Sequence, residues 1–259
     1  MLTAFIINLQ REPERWSHMQ KEFLKTSFTI ERVPAIDGQE LSLPIPGFDK
    51  TAFRRFHGRH FNVYEVACYF SHLKAIERFL QSGEEYSLIG EDDLTLSSTL
   101  NDLVDEALHY RKYWDILRLT GLSSRNGMTV AELTNECSLS CCLSRLKGAG
   151  AYIVSKRAAI RLKRFMTPMF LPLDHAIDRE WFYGLRALYI TPFPISQQAA
   201  NFKTSIQPNA GNQLGCVQRL LTTYTYQMRN ELSRYLFRFT YGVYLKTKLN
   251  KRVNPESLK

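Results

Sequence analysis

No stretch of the 259 residues is apolar for long enough to span a bilayer, which takes about 20 such residues. The opening run, Met1-Leu-Thr-Ala-Phe-Ile-Ile-Asn-Leu9, carries no basic leader and is shorter than a signal-peptide core, so no export signal is expected there. Cysteine is scarce as well. Cys68, Cys137, Cys141, Cys142 and Cys216 are odd in number and irregularly spaced, which argues against a disulfide framework. Cys137 and the Cys141-Cys142 pair lack the two-residue spacing and nearby histidines of a structural zinc site. Buried thiols in a reducing cytoplasm are the expectation. There is no internal repeat, no low-complexity tract and no base-reading motif, so nucleic acid is not the expected partner.

What is present is an ordinary globular composition, 44% hydrophobic and 23% charged, with charge unevenly spread. The net charge is +9, and residues 216–259 hold nine Lys/Arg against two Glu, so +7 lies there and +2 in everything before. We therefore read residues 1–215 as a nearly neutral main body and residues 216–259 as a basic tail. In the tail, Leu220, Leu221, Tyr224, Met228, Leu232, Tyr235, Leu236, Phe239 and Leu245 recur at three- and four-residue spacing, the pattern of an amphipathic helix or helix pair. Such a helix either lies on anionic lipid or packs on the body or a second subunit; an oligomer is open on this reading.

Along the body, apolar β-prone runs alternate with helical ones. Strands are expected at 3–9, 28–36, 86–91, 115–119 and 189–194. Helices are expected at 11–25, 64–81, 100–113, 155–166 and 173–185, with loops at 41–62, 121–135 and 196–215. Ser97, Ser98 or Asn101 is available to cap the helix at 100, Ser155 that at 155, and Gly83 closes the one before it. Alternation of this kind predicts an α/β fold with a largely parallel sheet and helices on both faces.

The chemistry concentrates in Tyr86-Ser-Leu-Ile-Gly-Glu91-Asp92-Asp93-Leu, a short buried-strand pattern that ends in three acids. On an extended chain Glu91 and Asp93 point one way and Asp92 the other. Two carboxylates at the carboxyl edge of a sheet can hold a hard divalent cation, and that cation can hold phosphates; the plainer reading is acids favouring a helix start. Asn8, Arg11 and Arg15 follow the first strand, where they either grip a nucleotide or stay solvated. Glu65, Cys68, Ser71 and His72 lie on successive turns of one helix. Leu171-Pro-Leu-Asp174-His-Ala-Ile-Asp178 sets two acids four residues apart at a helix start, a place the helix dipole alone also explains.

In order, Ile7-Asn8-Leu9 with Arg11 and Arg15, Ala35-Ile-Asp37-Gly38, Glu65-Val-Ala-Cys68-Tyr-Phe-Ser71-His72, Glu91-Asp92-Asp93, Trp114-Asp115-Ile-Leu, Gly148-Ala-Gly150-Ala-Tyr152-Ile-Val-Ser155, Pro172-Leu-Asp174 and Gln197 resemble glycosyltransferase family 25, the lipooligosaccharide galactosyltransferase-like enzymes. Ala67 and Gly90 depart from the family pattern, which often has Gly and a larger apolar residue there. The resemblance implies a GT-A-like fold. It also implies a UDP-sugar donor, commonly UDP-galactose, and inverting transfer to a surface glycan of the lipooligosaccharide or LPS type. It maps the family's acidic triplet onto Glu91, Asp92 and Asp93, and its glycan-cleft aspartate onto Asp174.

Together these readings assign Mn²⁺ or Mg²⁺ to Asp93 with Glu91, the donor to Asn8, Arg11, Arg15, Glu91, Asp92, His72 and Gln197, and the base to Asp174, then Asp178. The expected acceptor is a lipid-linked oligosaccharide, reached from the cytoplasmic surface of an inner membrane through the basic tail. Two other readings stay open at this stage: a two-carboxylate glycosidase, and a non-catalytic family member serving as a membrane or partner module. The nearly neutral body disfavours a nuclease.

Overall fold

The structure is a computed structural model that describes residues 2–121, 127–134, 136–197 and 219–253. The first strand, β1 (Thr3–Asn8), is buried on both faces beyond its first residue. That double burial explains its unbroken apolar run. Ala4 and Ile6 face a core shared with Met19 and Leu103, while Phe5 and Ile7 face one shared with Phe53 and Ile76.

Around β1 the chain winds α1 (Pro13–Phe23), β2 (Thr29–Pro34), α2 (Lys50–His57), α3 (Val63–Ser82), β3 (Tyr86–Glu91), β4 (Leu94–Leu96) and α4 (Leu100–His109). It continues through β5 (Ile116–Arg118), β6 (Gly127–Glu132), β7 (Ser138–Cys142), β8 (Ala151–Ser155), α5 (Lys156–Phe165), α6 (Leu173–Ile177), β9 (Ala187–Thr191) and β10 (Ile195–Gln197). It ends, among the described residues, in α7 (Thr225–Val253), which follows a π-turn at Arg219–Tyr224. Eight strands form one sheet in the order β2-β1-β3-β8-β5-β9-β7-β6, and β10 pairs with β4 in a second.

The expected α/β sheet flanked by helices, with a C-terminal helix, is what is found. Its pairing is mixed: parallel across β2-β1-β3 and β5-β9, antiparallel at β8 and at the β7-β6 edge. Local signals mark most helix ends correctly. Asn62 accepts from the Tyr64 amide at the start of α3, Gly83 closes α3 at φ 79°, and Ser155 accepts from the Ala158 amide at the start of α5.

Four expectations need correction. Thr99 occupies the cap position of α4 without a side-chain cap bond, because Ser97 is spent on Thr99 and Asn101 on Ser27. The loop expected at 41–62 contains α2, and the loop expected at 121–135 contains β6, an edge strand that rests on β7. The helix expected at 173–185 stops at Ile177.

Among the described residues, the tail helix packs on the body. Leu245 and Leu249 are buried in the same core as Val130, Leu139 and Cys141. Tyr241 donates its hydroxyl to the Tyr113 carbonyl (2.5 Å), and Thr223 donates to the Arg55 carbonyl (2.9 Å). The expected boundary at 215/216, like Cys216, lies outside the described residues.

Candidate active site

The parallel register aligns Ile7 with Glu91, so the next residues on each strand, Asn8 and Asp92, leave the sheet side by side. The antiparallel register of β10 on β4 brings Gln197 opposite Leu94, beside the same acids. Here β3 ends and a cleft of about 740 Å³ opens, lined by Arg15, Asp37, Cys68, His72, Glu91, Asp92, Asp93 and Gln197, among others. Sites for small organic ligands are about 300–1,000 Å³, so this one is of ligand size.

Contrary to the extended-chain reading, all three acids line the cleft, because the chain bends after Glu91. Asp92 is clamped: Asn8 Nδ2 donates to its Oδ2 (2.5 Å) and Arg15 pairs with its Oδ1 (2.6 Å). Asn8 thus reaches the cleft through Asp92. Arg15 also faces Asp93 at 3.6 Å. Gln197 Nε2 donates to Glu91 Oε2 (3.0 Å) and reaches Asp93 Oδ1 at 3.5 Å, tying the two carboxylates together. Arg11 is exposed and paired with Asp37, so its link to the cleft runs through that aspartate.

Helix α3 supplies the opposite wall. His72 is fully buried, with Nδ1 3.0 Å from the Tyr152 hydroxyl and Nε2 3.4 Å from Glu91 Oε1. The Cys68 thiol donates to the same oxygen at 3.7 Å. Ser71 accepts from the Ile36 amide (2.8 Å), which fixes the strand-end loop bearing Asp37 against the helix.

The electrostatics divide the acids. Burial pushes Glu91 up, but hydrogen bonding and charge from His72, then Cys68 and Arg15, outweigh it and hold Glu91 below its ordinary 4.5. Burial raises Asp92, and Arg15 and Asn8 offset only part of that. Asp93 is pushed up to about 6, by burial first and by the Glu91 charge second. An acid strained in this way by its neighbours' negative charge is a natural cation ligand.

The two aspartates proposed as bases separate sharply. Asp174 begins α6, partly exposed; its oxygens accept from the His175 amide (2.9 Å) and the Gly148 amide (3.4 Å), and Gly148 lines the cleft. Asp178 is buried between Arg118 and Arg238 (3.4 Å to each) and accepts from the Leu146 amide (3.0 Å). Burial opposes its charge, but Arg238 and Arg118 outweigh that and hold it below 3.8. Asp178 is buried on these partners and is not among the residues that line the cleft, which does not fit the expected role of second base. With Glu180 it anchors α7: Arg238 grips Glu180 through Nε (2.6 Å) and Nη2 (2.8 Å).

Sequence reasoning missed the roles of Tyr152, Arg118 and Glu180. An arginine inside the apolar strand Asp115-Ile-Leu-Arg118-Leu was a usable signal, since a buried guanidinium demands a carboxylate.

Residues 1–177 match the sequence pattern of glycosyltransferase family 25 (LPS biosynthesis protein). The chain belongs to this family. The match includes every site residue expected from the sequence except Asp178 and Gln197. Among relatives, a Drosophila pseudoobscura pseudoobscura protein described as a glycosyltransferase 25 family member is 32% identical over 99 residues, 35% of this chain and 15% of that one. Procollagen galactosyltransferase 1 of Danio rerio is 25% identical over 127 residues, 44% and 20% of the respective chains. A Rattus norvegicus relative, 26% identical over 129 residues, 45% and 22% of the chains, is described as a probable inactive glycosyltransferase 25 family member 3. The matched region is thus a fifth or so of these longer proteins. A solved glycosyltransferase involved in glycosylation of the PBCV-1 major capsid aligns with 73% of this chain and 80% of its own, at 10% identity and a TM-score of 0.38.

Proposed function

We propose that this glycosyltransferase family 25 chain moves a hexose, galactose first among candidates, from a UDP-sugar to a glycan acceptor of the lipooligosaccharide or LPS type, with inversion. The observation that carries the reading is the acid-tipped strand end, where Asp93 and Glu91 share the Gln197 amide at the mouth of a ligand-sized cleft. The galactosyl assignment draws support from the zebrafish relative's name.

A divalent cation fits Asp93 and Glu91 Oε2. Both are hard oxygen donors, and Asp93 is destabilised as an anion by its surroundings. When bound, Mn²⁺ or Mg²⁺ supplies neutralisation of the charge that develops on the leaving diphosphate. Arg15 adds a fixed positive charge on the same side, 2.6 Å from Asp92 and 3.6 Å from Asp93.

In the transfer, the acceptor hydroxyl gives its proton to Asp174 as its oxygen bonds the anomeric carbon. The bond from that carbon to the phosphate oxygen breaks, and UDP departs with the electron pair. What supports Asp174 is its link to the cleft wall, where it accepts from the amide of Gly148 (3.4 Å), a lining residue.

The outward face of α7 supports membrane attachment. Met228, Leu232, Leu236, Phe239 and Val243 are exposed at three- and four-residue spacing, with Arg229, Lys246 and Lys248 exposed alongside. An apolar stripe with lysines beside it suits an anionic lipid surface, so we place the enzyme on the cytoplasmic face of such a membrane. Among the described residues no helix is long and apolar enough to cross one.

The test is transfer by purified protein with UDP-hexoses, Mn²⁺ and lipooligosaccharide, following UDP release and product mass. Asp174→Asn lowers the rate by roughly 10²–10⁴ while leaving donor binding intact. Donor binding without transfer to any glycan would favour a non-catalytic role. Free sugar released from glycan without UDP-sugar would favour a glycosidase.

A further inference from the structure

The inner wall of the cleft carries chemistry that the oxygen-based donor end does not use. Cys68 and His72 are four residues apart on α3, hence on one face, and both meet the last residue of β3. Cys68 Sγ lies 3.7 Å from Glu91 Oε1, and His72 Nε2 lies 3.4 Å from the same oxygen. Among the described residues this is the group of three Cys, His or acidic side chains whose ligand atoms all fall within 4.8 Å of one another.

Those separations, which also serve hydrogen bonds, fit a tetrahedral cation. Zinc bonds of about 2.3 Å to sulfur and about 2.0–2.2 Å to nitrogen and oxygen, set at tetrahedral angles, put S···O at about 3.6 Å and N···O at about 3.4 Å. The observed edges match both. Tyr152 stacks on His72 at 15° between planes and meets Nδ1 with its hydroxyl at 3.0 Å, which holds the ring with Nε2 toward Glu91. Metal-bound histidines are oriented by such an outer partner. All three ligands line the cleft, which provides an entry path and an open fourth position.

We propose that Cys68, His72 and Glu91 form a second cation site, selective for zinc-class ions over the magnesium and manganese that suit Asp93. Thiolate with imidazole sets this preference. Binding forms the sulfur–metal bond as the Cys68 thiol releases its proton to solvent. Glu91 belongs to both sites, so zinc here pulls one carboxylate away from the donor end and inhibits transfer. The inhibition rests on the transferase reading; the binding does not.

The experiment is titration of metal-free protein with Co²⁺, a spectroscopic stand-in for zinc, followed by zinc competition. The expected result is one cobalt per chain with a thiolate-to-cobalt charge-transfer band, displaced by one equivalent of Zn²⁺ and not by excess Mn²⁺. The band disappears in Cys68→Ser, and affinity falls at least tenfold in His72→Asn and in Glu91→Gln, all three checked by thermal melting in the absence of metal. A missing band overturns the proposal, as does one that survives Cys68→Ser and so belongs to another cysteine. If nucleotide sugars fail to bind while the cobalt band behaves as stated, the transferase reading falls and the zinc site stands.

Discussion

Replacing Arg238 with Met should unfasten the tail helix from the catalytic body. The guanidinium is 2% exposed and makes two bonds to Glu180, itself 0% exposed. It also donates to the Ser144 carbonyl (2.6 Å) and the Cys142 carbonyl (3.3 Å) and sits 3.4 Å from Asp178. Burial opposes its charge, but Glu180 and Asp178 outweigh that and hold it firmly protonated. Met fills much of the volume but leaves Glu180 buried without its partner, a loss of about 3–5 kcal/mol. At about 2–4 °C per kcal/mol for a chain of this size, the melting temperature drops by roughly 6–20 °C. Arg238→Met with Glu180→Leu removes both charges and recovers most of the loss, since the cost lies in the stranded carboxylate. Urea unfolding at pH 7 across the double-mutant cycle measures this. A single-variant loss under about 1 kcal/mol, or a double variant no better than the sum of the singles, refutes the anchoring argument.

Asp93 gives a pH signature. Its folded value of about 6 exceeds the ordinary 3.8, so between those limits the native state holds a proton that the unfolded chain releases, and stability falls as pH rises. The difference amounts to about 3 kcal/mol at most. Unfolding of metal-free protein from pH 4 to 6.5 should therefore show a decline that Asp93→Asn flattens; equal slopes would remove the strained-acid argument. A Cβ on Gly150 would lie 2.6 Å from the Gln197 amide, a side-chain end that can swing away. Gly150→Ala should thus change stability by less than about 1 kcal/mol, yet weaken UDP-sugar binding in calorimetry by detaching Gln197 from Glu91 and Asp93. Leu232→Glu with Phe239→Glu should abolish sedimentation with phosphatidylglycerol vesicles while leaving transfer to a soluble acceptor unchanged; undiminished sedimentation would remove α7 from the membrane account.

What was legible in the sequence was local. Ser155 and Gly83 mark helix ends because a cap depends on the few residues around it. The acidic strand end was legible because β3 is an apolar run with a sharp polar stop. The misplaced parts depend on distant partners. Strand β6 is half-exposed and takes its shape from β7, so its own residues read as loop. The stretch after Ile177 has helical spacing, but the helix ends there, and Asp178 and Glu180 meet Arg238, 60 and 58 residues on. The same long-range contact removes Asp178 from the list of bases. Gly90, a departure from the family pattern, has a packing reason: a Cβ there would sit 3.0 Å from Leu94 and 3.2 Å from Ile6, which already fill the space.

The central claim is that the Glu91-Asp92-Asp93 edge of the cleft binds a nucleoside-diphosphate sugar with a divalent cation. Its most direct test is a thermal-shift panel of UDP-galactose, UDP-glucose, UDP-GlcNAc and other nucleotide sugars, each with and without Mn²⁺, on the wild type and Asp93→Asn. At a hundredfold excess over Kd, a bound donor adds about 2.7 kcal/mol, or roughly 5–11 °C. The account predicts such a shift for at least one UDP-sugar, dependent on Mn²⁺ and lost in Asp93→Asn. No shift with any UDP-sugar, or one of equal size in Asp93→Asn, would contradict it.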